Sequence, residues 1–207
     1  MVIRAKANMG VKEHIKEYKR ELILETASKL FSEKGFQKTT IDDIGASLGV
    51  TKPFIYTYFE SKYSILEQLF DAVYGDLHSD VMKVLNSKEG TPKERLRRFV
   101  LVYVQKNIQR QKFTAIMLEE EKNLSPKKIS DIRRKQRDFD AKLSRLIEEG
   151  VASGVFRVAD PKVASLAISG MVRWTHRWYS PEGRLSASEL SEMLSDLALN
   201  LVGCVQK

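Results

Sequence analysis

Cysteine is almost missing from this chain: Cys204 stands alone, so no internal disulfide can form, and a secreted scaffold stapled by bridges is excluded. Histidine is scarce as well. His14, His78 and His176 lie far apart and lack the spacing of metal ligands. No apolar run approaches the roughly 18 residues that a membrane span requires. Met1 to Gly10 holds Arg4 and Lys6 but no apolar stretch of the kind a signal peptide needs, so a cytoplasmic protein with no membrane partner is expected. There is no Gly-rich phosphate loop, no paired metal ligands and no nucleophile with a plausible base. The one acidic run, Glu119-Glu120-Glu121, places adjacent carboxylates on a helix, where they diverge. Neither an enzyme nor a resident cofactor is expected. Strand patterning is missing too. Phe99 to Val104 is β-branched, but it follows a charged, capped start and runs on into Gln105 to Gln111, which reads as a buried helix.

What remains is a basic, helical, globular chain. An apolar fraction of 43% over 207 residues suffices for one sizeable domain or two small ones. The net charge of +8 favours a polyanionic partner, though a Lys-rich soluble helical protein reads the same way. The charge does not locate a site, because residues 1–62 carry 11 Lys and Arg against 8 Asp and Glu, and a second basic stretch runs from Lys127 to Arg145.

Helix starts are clearly marked. Thr91-Pro92, Ser125-Pro126 and Asp160-Pro161 each pair an N-cap with a proline at the first helical position, where its missing N–H costs nothing. Thr91 with Glu94, and Ser186 with Glu189, have capping-box spacing. With the apolar periodicity between them, these signals predict an all-α chain of about nine helices, near 16–34, 40–48, 51–58, 62–86, 92–110, 113–121, 125–152, 160–179 and 186–205. A mobile arm of about ten residues is expected ahead of the first.

The densest local signal runs from Gly35 to Lys62. Gly35 ends the first helix. Thr40 and Asp43 form a capping box on a short helix with Ile41, Ile44 and Leu48 inward, Gly49 makes a sharp turn, and Thr51 caps a second short helix. Ile55 and Phe59 face inward at i and i+4, which leaves Phe54, Tyr56, Thr57 and Tyr58 outward or sideways, and Ser61 caps the next helix. Two short helices, a glycine turn and an outer face of Lys, Thr and aromatics fit a helix-turn-helix DNA reader. Tyrosine packing between helices is the alternative at this level.

Thr39 to Lys62, together with Leu30-Phe31-Ser-Glu-Lys-Gly35-Phe36, resembles the signature of the TetR family of bacterial repressors, with Tyr56, Tyr58, Phe59, Ser61, Lys62 and Leu66 on the family's pattern. The resemblance implies an N-terminal three-helix helix-turn-helix domain (1–62) and a C-terminal helical effector-binding and dimerisation domain (63–207). It implies that Thr40 bonds a phosphate, that Thr51 opens the reading helix, that Lys52, Pro53, Phe54 and Thr57 face base edges, and that Tyr56, Tyr58 and Lys62 hold the backbone of double-stranded DNA. Gly45 departs from the family's usual Ala, and Pro53-Phe54 from its usual small residues. The family relation further implies a homodimer through the last two helices on a near-palindromic operator.

Downstream, Arg173 and Arg177, and Trp174 and Trp178, pair at i and i+4. They suit an apolar effector with an anionic head, or an Arg–aromatic stack at a dimer interface. Gly150 to Leu201 is similar to TetR regulators of fatty-acid and steroid breakdown that acyl-CoA thioesters release from DNA. On that reading Arg133, Arg134 and Arg137 receive the phosphates of the CoA and Phe99, Tyr103, Phe113, Met117, Phe139, Leu143 and Trp174 hold the acyl part; alternatively the basic helix is a solvated face. A multidrug-type repressor released by apolar or cationic compounds is the competing effector model, kept open by Glu119 to Glu121.

Overall fold

The computed structural model describes residues 10–111, 114 and 119–204, without the side chains of residues 73, 74 and 76–78. Helix α1 spans Val11–Lys34, α2 Ile41–Leu48, α3 Lys52–Tyr56, α4 Lys62–Asn86 and α5 Pro92–Gln109. After a 3-10 turn at Glu121–Asn123 come α6 (Pro126–Ala152), α7 (Pro161–Trp178) and α8 (Ala187–Leu201). No strand occurs among the described residues, so the all-α expectation holds. Most of the helix expected over 113–121, including Phe113 and Met117, lies outside the described residues.

The caps explain where the helices start. Full capping boxes form at Thr40–Asp43, Thr91–Glu94 and Ser186–Glu189. Each satisfies two backbone N–H groups that a helix start leaves open. Asp160 accepts from the Lys162 and Val163 N–H groups, and Ser125 from Lys128. Ser61 and Ser64 form a reciprocal pair at the start of α4, each hydroxyl accepting from the other's N–H at 3.1 Å.

Three boundaries differ from expectation. Helix α1 begins at Val11 rather than near 16, since nothing between 11 and 15 breaks a helix. Helix α3 stops at Tyr56 rather than 58, where the Thr57 hydroxyl turns back to donate to the Phe54 carbonyl at 2.7 Å. Helix α8 ends at Leu201 rather than 205. Gly203 there takes φ +58°, and a Cβ on it would meet the Arg157 carbonyl oxygen at 2.5 Å.

The chain divides into two compact units, Met1–Phe70 and Asp71–Lys207, with the division inside α4. In the first, Ile23, Ala27 and Phe31 of α1, Ile44 of α2, Ile55 of α3, and Ile65 and Leu66 of α4 are all buried. Each fully buried Ile, Leu or Phe contributes about 1.5–3 kcal/mol. Phe36 closes this core edge-on against Phe31, ring centroids 5.0 Å apart.

In the second unit α5 is the central helix and packs against α6, α7 and, most extensively, α8. The β-branched run lies within the helix α5, and Phe99, Val100 and Val104 are fully buried. Polar anchors tie α5 to its neighbours. Arg97 pairs with Glu192 and Asp196 of α8. Asn107 donates to the Val172 carbonyl at 2.9 Å and to the Thr175 hydroxyl at 2.7 Å on α7. The buried Arg95 pairs with Glu149 of α6, which also takes Lys88 at 2.7 Å. Beside that pair, Gly150 admits the ring of Phe156, which would overlap any Cβ at that position.

Candidate nucleic-acid interface and effector region

Within the first unit, the turn between α2 and α3 is held at its centre. Gly49 adopts the left-handed conformation (φ 68°, ψ 28°), which L-residues with a Cβ rarely adopt. The Val50 N–H then donates to the Gly45 carbonyl at 2.9 Å. A Cβ on residue 45 would lie 2.8 Å from the Val50 carbonyl oxygen, so Gly45 permits a close backbone approach between α2 and the lead-in to α3. That is the physical account of the departure noted in the sequence.

Ile55 and Phe59 anchor α3 in the core, as their spacing predicts. Thr51, Lys52, Pro53, Tyr56 and Thr57 are exposed together, and Phe54 and Tyr58 are half-buried, ring centroids 5.3 Å apart. The surface that emerges holds every reading-helix residue singled out from the sequence. Thr51 occupies the N-cap position, but its side chain makes no cap hydrogen bond, contrary to expectation. Pro53 in the first turn lowers the number of N–H groups needing a cap.

Ion pairs and caps organise the charges around this surface. Lys52 pairs with Asp42 at 2.8 Å, and that carboxylate holds the Lys52 pKa above its ordinary value. The Thr40 hydroxyl accepts from the Asp43 N–H at 3.0 Å and donates to the Asp43 carboxylate at 2.7 Å. The hydroxyl and N–H of Thr40, more than Lys34, hold the Asp43 pKa low. Lys62 is engaged within the chain. Its ammonium donates to the carbonyls of Phe36 at 2.7 Å, Gln37 at 3.2 Å and Thr39 at 2.8 Å, and lies 4.4 Å from the Phe36 ring centroid. It braces the loop before α2. Two α1 residues that the sequence reading missed lie against this surface. Lys19 lies 5.6 Å from the Phe54 ring centroid, and Arg20 donates to the Tyr58 carbonyl at 3.3 Å while covering Phe59. No local pattern separates them from the other charges of α1.

In the second unit Phe99, Tyr103, Phe139 and Leu143 belong to one hydrophobic core cluster. All are buried, with ring centroids 5.4 to 5.7 Å apart among the three aromatics. Trp174 does not join them. It is 61% exposed, as Trp178 is 50% exposed, because Val172, Thr175 and His176 occupy the inward face of α7. The two Trp residues instead extend an outer apolar stripe with Val163 and Leu166, and α8 exposes Met193, Leu197 and Leu201. Arg177 is exposed, Arg173 is half-buried, and Arg133, Arg134 and Arg137 line the exposed side of α6. Arg134 is paired locally with Asp131 at 3.0 Å.

A helix-turn-helix head with an exposed aromatic, Thr and Lys reading surface defines a DNA-binding regulator. Comparison with known proteins agrees. Residues 23–69 match the family described as bacterial regulatory proteins, tetR family, and residues 89–202 match the tetracyclin repressor-like C-terminal domain. The chain is 27% identical over 190 residues to the HTH-type transcriptional repressor KstR2 of Mycolicibacterium smegmatis, covering 91% of each. Among solved structures, the TetR family regulator PfmR of Thermus thermophilus superposes with TM-score 0.78 at 31% identity, covering 89% of this chain and 99% of that one. AibR, solved in complex with isovaleryl coenzyme A and operator DNA, shares the fold with TM-score 0.73 at 24% identity, covering 90% and 99%. The chain belongs to the TetR family of bacterial transcriptional regulators, with an N-terminal DNA-binding domain and a C-terminal ligand-binding domain. No described helix is long and apolar enough to cross a membrane.

Proposed function

We propose that this regulator is a repressor that binds a near-palindromic operator as a homodimer and is released by an acyl-CoA thioester. The observation that carries the effector class is the likeness of fold to AibR, whose solved complex holds isovaleryl coenzyme A together with operator DNA. KstR2, a repressor covering 91% of the chain, supports the repressor role. Thr51, Lys52, Pro53, Phe54 and Thr57 meet the bases and adjoining phosphates, and Tyr56 and Tyr58 pack on the sugar–phosphate backbone with Thr40 at the start of α2. Lys62 acts through the loop it braces. The apolar stripes of α7 and α8 pair with those of a second copy, since an exposed row of Trp, Leu and Met on adjoining helices is an association surface. Trp174 and Trp178 belong to that pairing first. The Phe99–Tyr103–Phe139 cluster and Leu143 receive the acyl chain, and Arg133, Arg137 and Arg177 supply positive charge toward the CoA phosphates.

The test is a titration of free fatty acids, acyl-CoAs from short to long chain, and an apolar cation (tetraphenylphosphonium) against the protein–operator complex in a fluorescence anisotropy assay. Release by one range of acyl-CoAs, with no effect of the matching free acids, is expected. Release by the cation alone would replace this reading with that of a multidrug-type repressor.

A further inference from the structure

Three buried polar atoms have no hydrogen-bond partner among the described residues, and two belong to α6 and α7, which pack against each other: Asp140 Oδ1 on α6 and Ser169 Oγ on α7. Buried polar groups are nearly always satisfied, so an orphan needs a reason. Ser165, one turn earlier on α7, shows the ordinary solution: its hydroxyl donates to the Lys162 carbonyl at 2.8 Å. Ser169 makes no such bond.

Asp140 is the more costly orphan. Desolvation raises the pKa of its carboxyl, and the charge of Arg173 on α7 offsets this in part. Arg173 thus stands close enough to be felt, yet the two do not close into an ion pair, and Asp140 Oδ1 accepts nothing. Arg173 lies one turn beyond Ser169, on the same side of α7. The seam therefore presents an unpartnered acceptor on one helix and a donor on the other. A carboxylate ligand would suit Arg173 and repel Asp140, and an ammonium would do the reverse. A secondary amide carries a donor and an acceptor on opposite edges, matching two residues on facing helices.

We propose that the α6–α7 seam is a subsite for a secondary amide, with Asp140 accepting from its N–H and Arg173 donating to its carbonyl. Resting on the acyl-CoA reading above, that amide is the one nearest the thioester in the pantetheine arm. The apolar tail then extends toward the Phe99–Tyr103–Phe139 cluster. Asp140, which no sequence motif marks, becomes a determinant of effector class: it selects CoA-type thioesters over the free acids.

The test uses the acyl chain that binds most tightly in the titration above, offered as three probes: the CoA thioester, the N-acetylcysteamine thioester, which keeps one amide, and the S-ethyl thioester, which has none. Affinities for the full-length protein, Asp140→Leu, Asp140→Asn and Arg173→Met are measured by calorimetry, with operator binding and melting temperature alongside. The wild type is expected to prefer the amide-bearing small thioester over the S-ethyl ester by about tenfold. Asp140→Leu should erase that preference and weaken the CoA thioester by a similar factor, while binding operator normally and melting no lower than wild type, since it removes a half-buried carboxyl whose Oδ1 has no partner. Asp140→Asn, which keeps an acceptor, should retain part of the preference, and Arg173→Met should lose it. Undiminished amide preference in both Asp140→Leu and Arg173→Met overturns the subsite while leaving the acyl-CoA reading in place. If no acyl-CoA binds the wild type, the acyl-CoA reading fails and the subsite falls with it.

Discussion

Replacing Gly45 by Ala puts two opposing terms against each other at the base of the reading helix. Alanine is favoured over glycine inside a helix by about 1 kcal/mol. The added Cβ, however, would lie 2.8 Å from the Val50 carbonyl oxygen, where ordinary contact begins at 3.4 Å. That oxygen is backbone, so relief requires the Val50 peptide to withdraw by about 0.6 Å, at an overpacking cost of ~1–3 kcal/mol. The net effect on stability is expected to lie between about zero and a loss of ~2 kcal/mol. The effect on function should be larger in proportion, because the Val50 peptide leads directly into Thr51, whose carbonyl accepts from the Phe54 and Ile55 N–H groups at the start of α3. A tilt there misaligns the reading surface, and losing the alignment of one good base contact costs ~1–3 kcal/mol, about tenfold or more in affinity. The assay is fluorescence anisotropy on an operator recovered by selection from random duplexes, beside a thermal melt. A variant that melts several degrees higher and binds operator as tightly as wild type would show that the turn yields freely and that Gly45 has no such role.

Tyr56→Ala should weaken operator binding by more than tenfold without lowering the melting temperature, whereas Lys62→Met should lower stability by ~1–3 kcal/mol because three carbonyls lose their donor; equal melting temperatures for the two would contradict this division of labour. Lys88 first, and Arg95 with it, hold the Glu149 pKa below the ordinary carboxylate value. A depressed carboxyl contributes stability that is full above its unfolded pKa and lost as pH falls through the folded one, so acid denaturation should set in below about pH 4, and Glu149→Gln should flatten that part of the profile. At neutral pH the same substitution leaves the buried Arg95 without its carboxylate and should cost about 3 kcal/mol in chemical denaturation. Leu197→Lys, on the exposed stripe of α8, should shift sedimentation from dimer toward monomer and weaken operator binding, with helix content unchanged by circular dichroism.

The reading head was legible because its signals are local. Thr40 and Asp43 are three residues apart, Gly49 announces its own turn, and Ile55 and Phe59 set the buried face by helical spacing alone. The bracing by Lys62 was not, because its three carbonyl partners lie 23 to 26 residues away and backbone acceptors carry no sequence mark. Trp174 shows a different limit. An amphipathic pattern says that a face is apolar, not whether the same chain covers it, and α7 has one apolar face turned to the core and another left exposed. Asp140 looked like one more charge on a solvated helix; only the packing of α6 on α7 singles it out. Gly45 registered as a departure from the family pattern, but its reason, a carbonyl five residues ahead, needed the turn geometry.

The grip of Lys62 on the Phe36–Thr39 loop also bears on how binding responds to ionic strength. Each basic side chain that neutralises a phosphate releases condensed counterions and steepens the fall of log K with log salt by about 0.9. An ammonium already engaged by three carbonyls has little to release. Lys52 must first leave Asp42. The number of lysines near the reading surface is therefore expected to overstate the salt dependence of operator binding, a shortfall that a salt titration would read as positive charge used to build the reading head instead of to touch DNA.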